Sequence, residues 1–372
     1  MRVGLDLLYL IPGETGGRET YVRELVPALL ERAPELELIA FVNRDSGTSL
    51  AAELGEGVRA VQVGVSARNR AQWALGELAL VSLAARRERV DLLHSMANFA
   101  AVWGPFRRVV TIHDLQYQAV PELISGPVRA GTSALMWLAA HRADRVIAVS
   151  GAAREEVIAG LKVKRERIDA VPNGVRPPPP DPPTAGLRER YRLRQQPIAL
   201  AVATNLPHKN LPTLIDALAL MAPERRPVLL LAGHGTDDGA LQTLASSAGV
   251  AADVRLLGAC SRAQLDSLYA LADCLVLPTL HEGFGLPVIE AMVRSLPVAC
   301  SDIAALREVA GDAALYFDPR TPAEIAARID ELLSDRALAQ RQRERGVARG
   351  AEFSWSAAAA GTLESYAQAL AS

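Results

Sequence analysis

The densest concentration of chemistry-bearing residues is the run His281-Glu282-Gly283-Phe284-Gly285-Leu286-Pro287-Val288-Ile289-Glu290-Ala291-Met292. It follows the strand-like run Ala272-Asp273-Cys274-Leu275-Val276-Leu277, and Pro287 suits the first turn of a helix. The loop 282–285 is therefore expected to present backbone N–H groups at a helix N-terminus, where anions bind readily. Glu282 falls in the loop and Glu290 in the helix, on nearby faces. Two carboxylates beside an anion site repel a bare phosphate. They suit a ligand whose sugar or ribose hydroxyls donate to them while the amides hold a pyrophosphate. The plainer reading, a capped surface helix with incidental acids, leaves the neighbouring glycines unexplained.

Other polar residues also follow strand-like runs. Lys209, in Lys209-Asn210-Leu211-Pro212, comes after Ala199-Leu200-Ala201-Val202-Ala203 and directly before a helix, a double attraction for phosphate. Gly233-His234-Gly235 ends the next run and allows close ligand approach. His113-Asp114 ends Val109-Val110-Thr111-Ile112, where a histidine can donate to a hydroxyl or take up charge. A turn capped by Asp114 with His113 packed beside it accounts for the pair equally well. Gly13-Glu14-Thr15-Gly16-Gly17 precedes a helix and lacks the G-x-G-x-x-G spacing of dinucleotide enzymes. Ser150 and Asn173-Gly174 read as a helix cap and a turn.

These residues need a scaffold that brings strand ends together. Apolar runs near 2–9, 36–42, 58–65, 90–93, 108–112, 145–149 and 167–171 read as strands, with helical patterns at 19–32, 69–87 and 128–142 between them. The second half repeats the alternation, with strands near 197–203, 227–232, 253–257, 273–277 and 297–300 and helices near 211–221, 238–248, 263–271 and 286–295. Such alternation is the signature of α/β domains with parallel sheets, which bind ligands at the carboxyl ends of their strands. Pro177-Pro178-Pro179-Pro180-Asp181-Pro182-Pro183 is extended and semi-rigid and reads as a linker. The expected domains are 1–176, a linker 177–184, 185–355, and a terminal segment 356–372; from 322 onward the chain reads as helical.

With these motifs in this order, the sequence resembles the retaining glycosyltransferases of glycosyltransferase family four. The resemblance covers nearly the whole chain. It rests on Gly16-Gly17, His113-Asp114, Ile147-Ala148-Val149-Ser150, Val171-Pro172-Asn173-Gly174, Lys209-Asn210, and Glu282 with Glu290 followed by Ser301-Asp302 and Glu308-Val309-Ala310-Gly311. It implies a GT-B fold: two Rossmann-like domains facing a central cleft, acceptor on the first and nucleotide sugar on the second, with the last helix crossing back to the first domain. It implies that Glu282 contacts the donor sugar, that Glu290 contacts the ribose, and that His113 lies near the reacting sugar. Lys209 and the amides of 283–285 would neutralise the leaving diphosphate. Catalysis is thus expected from His113, Glu282 and Lys209, and donor binding from Gly16, Gly17, Gly233, Gly283, Phe284, Gly285, Leu286 and Glu290. Many relatives have Gly-Arg where this chain has Ala203-Thr204, so one phosphate-binding arginine is absent; Arg18 is the candidate replacement. The Gly-Gly-Arg-Glu-Thr-Tyr run at 16–21 resembles bacterial polysaccharide mannosyltransferases, which implies a GDP-linked mannose or relative in preference to a UDP-linked sugar. A sugar phosphorylase or synthase of the same fold, or an inactive sugar-nucleotide-binding module, remains the alternative.

Composition narrows the remaining classes. A formal net charge of −2 argues against a general nucleic-acid binder. Cys260, Cys274 and Cys300 have no zinc or redox spacing, the histidines form no paired-ligand pattern, and no Asp-x-Asp occurs, so no metal or cofactor is expected. The first residues lack a signal-peptide pattern and no apolar run is long enough to span a bilayer, which predicts a cytoplasmic protein. Residues 57–113 hold eight Arg against three acids. Flanking an amphipathic segment around Trp73, Leu75, Leu78 and Val81, they predict peripheral contact with anionic lipid and a lipid-linked or glycan acceptor. A helix packed on its sheet with a solvated basic face is the competing account.

Overall fold

Strands covered on both faces need continuous apolar sequence, whereas the helices that cover them need one apolar stripe. In the computed structural model, which describes residues 1–121, 126–193 and 195–372, that alternation gives two parallel sheets. The first comprises β1 (Arg2–Leu7), β2 (Glu37–Val42), β3 (Val58–Gln62), β4 (Leu92–Ser95), β5 (Arg107–Ile112), β6 (Arg145–Ala148) and β7 (Ile168–Ala170), ordered β3-β2-β1-β4-β5-β6-β7. The second comprises β8 (Ile198–Val202), β9 (Val228–Ala232), β10 (Val254–Gly258), β11 (Cys274–Leu277), β12 (Val298–Ser301) and β13 (Ala314–Phe317), ordered β10-β9-β8-β11-β12-β13. In each sheet the strand order reverses once, between β1 and β4 and between β8 and β11. Loops leave those strand ends in opposite directions and open a crevice for ligand.

The first sheet carries α1 (Gly17–Arg32), α2 (Ser49–Leu54), α3 (Arg70–Leu75), α4 (Val81–Arg87), α5 (Gln116–Ala119), α6 (Gly126–Arg142) and α7 (Gly151–Leu161). The second carries α8 (Leu187–Arg190), α9 (Leu211–Leu220), α10 (Gly239–Ser247), α11 (Arg262–Leu271), α12 (Leu286–Val293), α13 (Ala304–Ala310), α14 (Pro322–Ser334) and α15 (Arg336–Gly350). The last helix, α16 (Trp355–Ala371), packs on α1 and against β5 and β6. The chain therefore forms two compact units, Met1–Gly174 with Ser354–Ser372, and Val175–Phe353. The proline run 177–183 is irregular and belongs to the second unit. In that unit Leu229, Leu231 and Val276 from the sheet pack with Leu214, Ile215 and Ile329 from α9 and α14.

Three departures from the sequence reading have local causes. The strand β13, at the edge of the second sheet with two of its four residues only partly buried, was not expected. Helices α2 and α13 are short, and α7 is announced by little beyond its N-cap, Ser150, whose hydroxyl accepts from the Ala153 N–H at 2.9 Å. The single helix expected over 69–87 is interrupted: a π-helical turn, Gly76–Leu80, separates α3 from α4. That turn rotates Glu77 into the interior, where it is 4% exposed and accepts from the Trp73 indole N–H at 3.0 Å.

Candidate active site

In the second unit, β8 ends at Val202 and the chain makes a single 3₁₀ turn, Pro207–Lys209, before α9. The turn is tied to the loop after β11. The His208 carbonyl accepts from the Leu280 N–H at 2.7 Å and from the Thr279 hydroxyl at 3.0 Å, and Asn210 Nδ2 donates to the carbonyls of Pro278 and Pro319. These bonds set two side chains from distant sequence against each other: Lys209 Nζ lies 2.5 Å from Glu282 Oε1, with both side chains largely buried. Beside them α12 begins at Gly285, in the left-handed region at φ 98°, with no side-chain cap. A Cβ there would lie 2.3 Å from Leu306 Cδ2, so glycine alone leaves the helix end open. Gly233 has the same obligation on the neighbouring strand end. Its φ is 143°, and a Cβ would sit 2.0 Å from the Ala203 carbonyl oxygen.

Glu290 is placed differently from Glu282. It accepts from the Tyr269 hydroxyl at 2.9 Å, and Arg294 lies over the Tyr269 ring while pairing with Asp266 at 2.5 Å. Burial raises the Glu290 carboxyl above its ordinary value, partly offset by the Tyr269 bond and Arg294. Tyr269, Arg294 and Asp266 escaped the sequence reading because nothing in their spacing marks them as neighbours of Glu290. Phe284 is buried and meets Phe353 edge to face at 5.6 Å, so its side chain packs inward and only its backbone faces the loop.

In the first unit, Gly16 is the N-cap of α1, and the Gly13 N–H donates to Glu19 Oε2 at 2.7 Å. One amide of the glycine loop is thus already engaged. Arg18 lies over the Tyr9 ring, 5.6 Å from its centroid. His113 is buried directly after β5. Its backbone N–H donates to Asn98 Oδ1 at 2.7 Å, and its Nε2 donates to the Met96 carbonyl at 2.9 Å, which leaves Nδ1 as the acceptor. Burial pulls its pKa down to about 4, with Arg18 adding to the shift. At neutral pH it is an uncharged imidazole, and taking up charge is disfavoured. The Tyr21 ring stands at 89° to it, centroids 4.9 Å apart.

Among the described residues, no group of three or more His, Cys, Asp or Glu side chains could hold a metal ion. No helix of the described residues is long and apolar enough to cross a membrane. Of the eight arginines at 57–113, four pair within the unit: Arg59 with Glu88, Arg68 with Glu14, and Arg107 and Arg108 with Asp144. Val81 is fully buried, while Leu75 and Leu83 are exposed.

Comparison with known proteins matches residues 15–177 to the model of Glycosyltransferase Family 4 and residues 187–349 to that of Glycosyl transferases group 1. O-antigen chain mannosyltransferase B of Escherichia coli is 31% identical over 76% of this chain and 76% of its own length. D-inositol 3-phosphate glycosyltransferase of Nocardia farcinica is 30% identical over 76% of this chain and 62% of its own. In fold, a sucrose-phosphate synthase from Thermosynechococcus elongatus superposes with TM-score 0.81 at 21% identity, covering 100% of this chain and 99% of the other. Anabaena HepE in complex with UDP and glucose superposes with TM-score 0.79 at 20% identity, covering 99% of each. HepE is also solved with UDP-glucose. These complexes overturn the expectation of a GDP-linked donor, because the nucleotide they hold is uridine-based. The 16–21 run on which that expectation rested makes internal contacts in the first unit. Arg18 covers Tyr9, Glu19 binds the Gly13 amide and Arg23, and Tyr21 is buried beside His113.

Proposed function

We propose that this chain, which belongs to glycosyltransferase family four and has the GT-B fold, holds its donor at the Lys209–Glu282 pair and the α12 N-terminus. The enzyme transfers a sugar from a nucleotide-sugar donor to an acceptor. The observation that carries the donor-site reading is the 2.5 Å Lys209–Glu282 contact beside an uncapped helix end. As the diphosphate arrives, Lys209 exchanges its carboxylate partner for phosphate oxygens. Glu282 is then released to accept from sugar hydroxyls, while Glu290 accepts from the ribose. Negative charge grows on the leaving diphosphate as the anomeric bond breaks, so Lys209 and the N–H groups of 283–286 act most strongly in the transition state. No metal takes part, since the lysine and the helix end supply the positive charge. Attack from the same face as departure gives retention, with the neutral His113 offering Nδ1 to the reacting sugar.

The mannosyltransferases among the relatives favour mannose or a related hexose as the group transferred. The solved UDP complexes make a uridine-linked donor the first to test. The acceptor is a glycan or a lipid-linked saccharide bound by the first unit, and the enzyme works in the cytoplasm. Leu75 of α3 and Leu83 of α4, exposed on the segment that ends in Arg86, Arg87 and Arg89, meet the inner face of the membrane. Release of nucleoside diphosphate from a panel of UDP-sugars tests the reading. Wild type should turn over at least one, with excess EDTA making no difference. Glu282→Ala should fall by about 10²-fold or more while its circular dichroism stays unchanged. Near-normal turnover in that variant would mean that the site lies elsewhere.

A further inference from the structure

Beneath His113 lies a line of buried polar groups that the donor site does not use. Tyr366 of α16, His94 of β4 and Thr111 of β5 are fully buried, and Tyr21 of α1 is 2% exposed. The Tyr366 hydroxyl lies 2.8 Å from His94 Nδ1, and His94 Nε2 lies 2.7 Å from the Thr111 hydroxyl. The Thr111 hydroxyl is in turn 3.1 Å from the Tyr21 hydroxyl. Tyr21 also meets the hydroxyl of Thr362, whose own proton is committed to the Ala358 carbonyl at 2.8 Å. Four secondary elements therefore meet in one hydrogen-bonded line.

Donor accounting gives the line a single direction. Burial drives the His94 pKa down to about 3, so its ring carries one N–H and one lone pair. Among the described residues the Tyr366 hydroxyl meets no acceptor other than His94. A buried O–H left without an acceptor is costly, so Tyr366 donates to Nδ1 and the proton of His94 sits on Nε2. That N–H donates to Thr111, whose hydroxyl donates to Tyr21. Reversing the line would strand the Tyr366 proton. At its end, the Tyr21 ring is wedged between His113 at 4.9 Å and Trp355, the first residue of α16, at 6.1 Å between centroids.

We propose that Tyr366, His94, Thr111 and Tyr21 are positioning residues for His113: a one-way hydrogen-bond line, anchored in α16, fixes the Tyr21 ring and through it the plane of the His113 imidazole. The helix by which the chain returns to the first unit thereby holds a group that acts on the sugar. This inference rests on the reading that His113 faces the reacting sugar.

Histidine-selective NMR of the full-length protein tests the line without any substrate, since the chain has only six histidines and His113→Gln assigns the resonance. Wild-type His94 should show the Nε2–H tautomer. Thr111→Val keeps the shape but removes the hydroxyl, and Tyr366→Phe removes the anchor. Both should shift the His113 ring resonances although neither residue is hydrogen-bonded to that ring, and Thr111→Ser should restore them. Packing alone would give the opposite order, with Val silent and Ser perturbed. In turnover of whichever UDP-sugar of the panel wild type uses, Thr111→Val should lower kcat by about ten- to a hundredfold with little change in KM, as expected of a misplaced group. His113 signals that stay in place in both Thr111→Val and Tyr366→Phe, or an Nδ1–H tautomer at His94, overturn the inference. Turnover unaffected by His113→Gln would instead overturn the functional reading, leaving the NMR result to stand on its own.

Discussion

The two units prepare their polar groups in opposite ways. The second unit brings charged side chains together: Lys209 against Glu282 in the loops after β8 and β11, and Arg294, at the end of α12, against Asp266 of α11, with Tyr269 on Glu290. The first unit keeps a neutral, fully buried line, from Tyr366 through His94 and Thr111 to Tyr21. A charged pair at a strand end can change partners when a ligand brings its own charge, which suits a group that must grip a diphosphate and release it. A buried neutral line cannot exchange with water, so it fixes geometry instead. Binding energy should therefore reside in the second unit and orientation in the first.

The largest effect should come from breaking the charged side. Lys209→Ala and Glu282→Ala should each reduce turnover by about 10²-fold or more, and the double variant should lose far less than the product of the two. Groups acting as one unit are non-additive, and strictly multiplicative losses would show that the two residues serve separate tasks. Next comes Gly233→Ala, which forces a Cβ to 2.0 Å from the Ala203 carbonyl at positive φ. It should cost about 1–3 kcal/mol of stability and weaken UDP binding, read by thermal melting with and without UDP. An unchanged melting temperature would remove Gly233 from the account.

A smaller effect is expected from a buried acid of the first unit, Glu77. Glu77 faces Asp6, whose carboxyl accepts from Ser95 and from the Leu8 amide, with Trp73 on the opposite side and Tyr9 and Arg18 nearby. Burial, reinforced by Asp6, holds Glu77 well above the ordinary carboxyl range. A raised folded pKa means that the native state holds a proton which the unfolded chain has released. Its contribution is complete below the unfolded value, near 4.5, and is lost as pH rises through the folded one. Glu77→Gln should therefore gain melting temperature relative to wild type as pH increases, and a pH-independent difference would show that no proton is held there. Smallest is the lipid contact: changing Arg86, Arg87 and Arg89 to Ser should reduce co-sedimentation with anionic vesicles at low salt and leave neutral vesicles unaffected. Equal recovery in the supernatant with both vesicle types would leave α3 and α4 as an ordinary covering layer.

The same contrast explains what was legible in the sequence. Every strand but β13 could be read because parallel strands are continuous apolar runs, and the terminal helices because their periods are long. Lys209, Glu282 and Gly233 stood out because each punctuates a strand-to-helix junction where apolar sequence gives way to chemistry. Tyr366, His94 and Thr111 did not, because a hydroxyl or imidazole inside an apolar run looks like any tolerated core residue until the partner strand is known. Glu77 was hidden by the helical period of 69–87, which carries no trace of the π-helical turn that rotates it inward. The nucleotide base was misjudged because it was inferred from a resemblance of the run 16–21 to mannosyltransferases, and that run builds the start of α1.

The central claim, a donor site built on Lys209 beside the α12 N-terminus, is tested most directly by calorimetric titration of UDP in the presence of EDTA into wild type and Lys209→Ala. The account predicts saturable binding to wild type that EDTA leaves intact, and binding weakened by about tenfold or more in the variant, as expected when a charged phosphate contact is lost. Equal affinity in the two proteins, or binding to wild type that vanishes with EDTA and returns with magnesium, would contradict it.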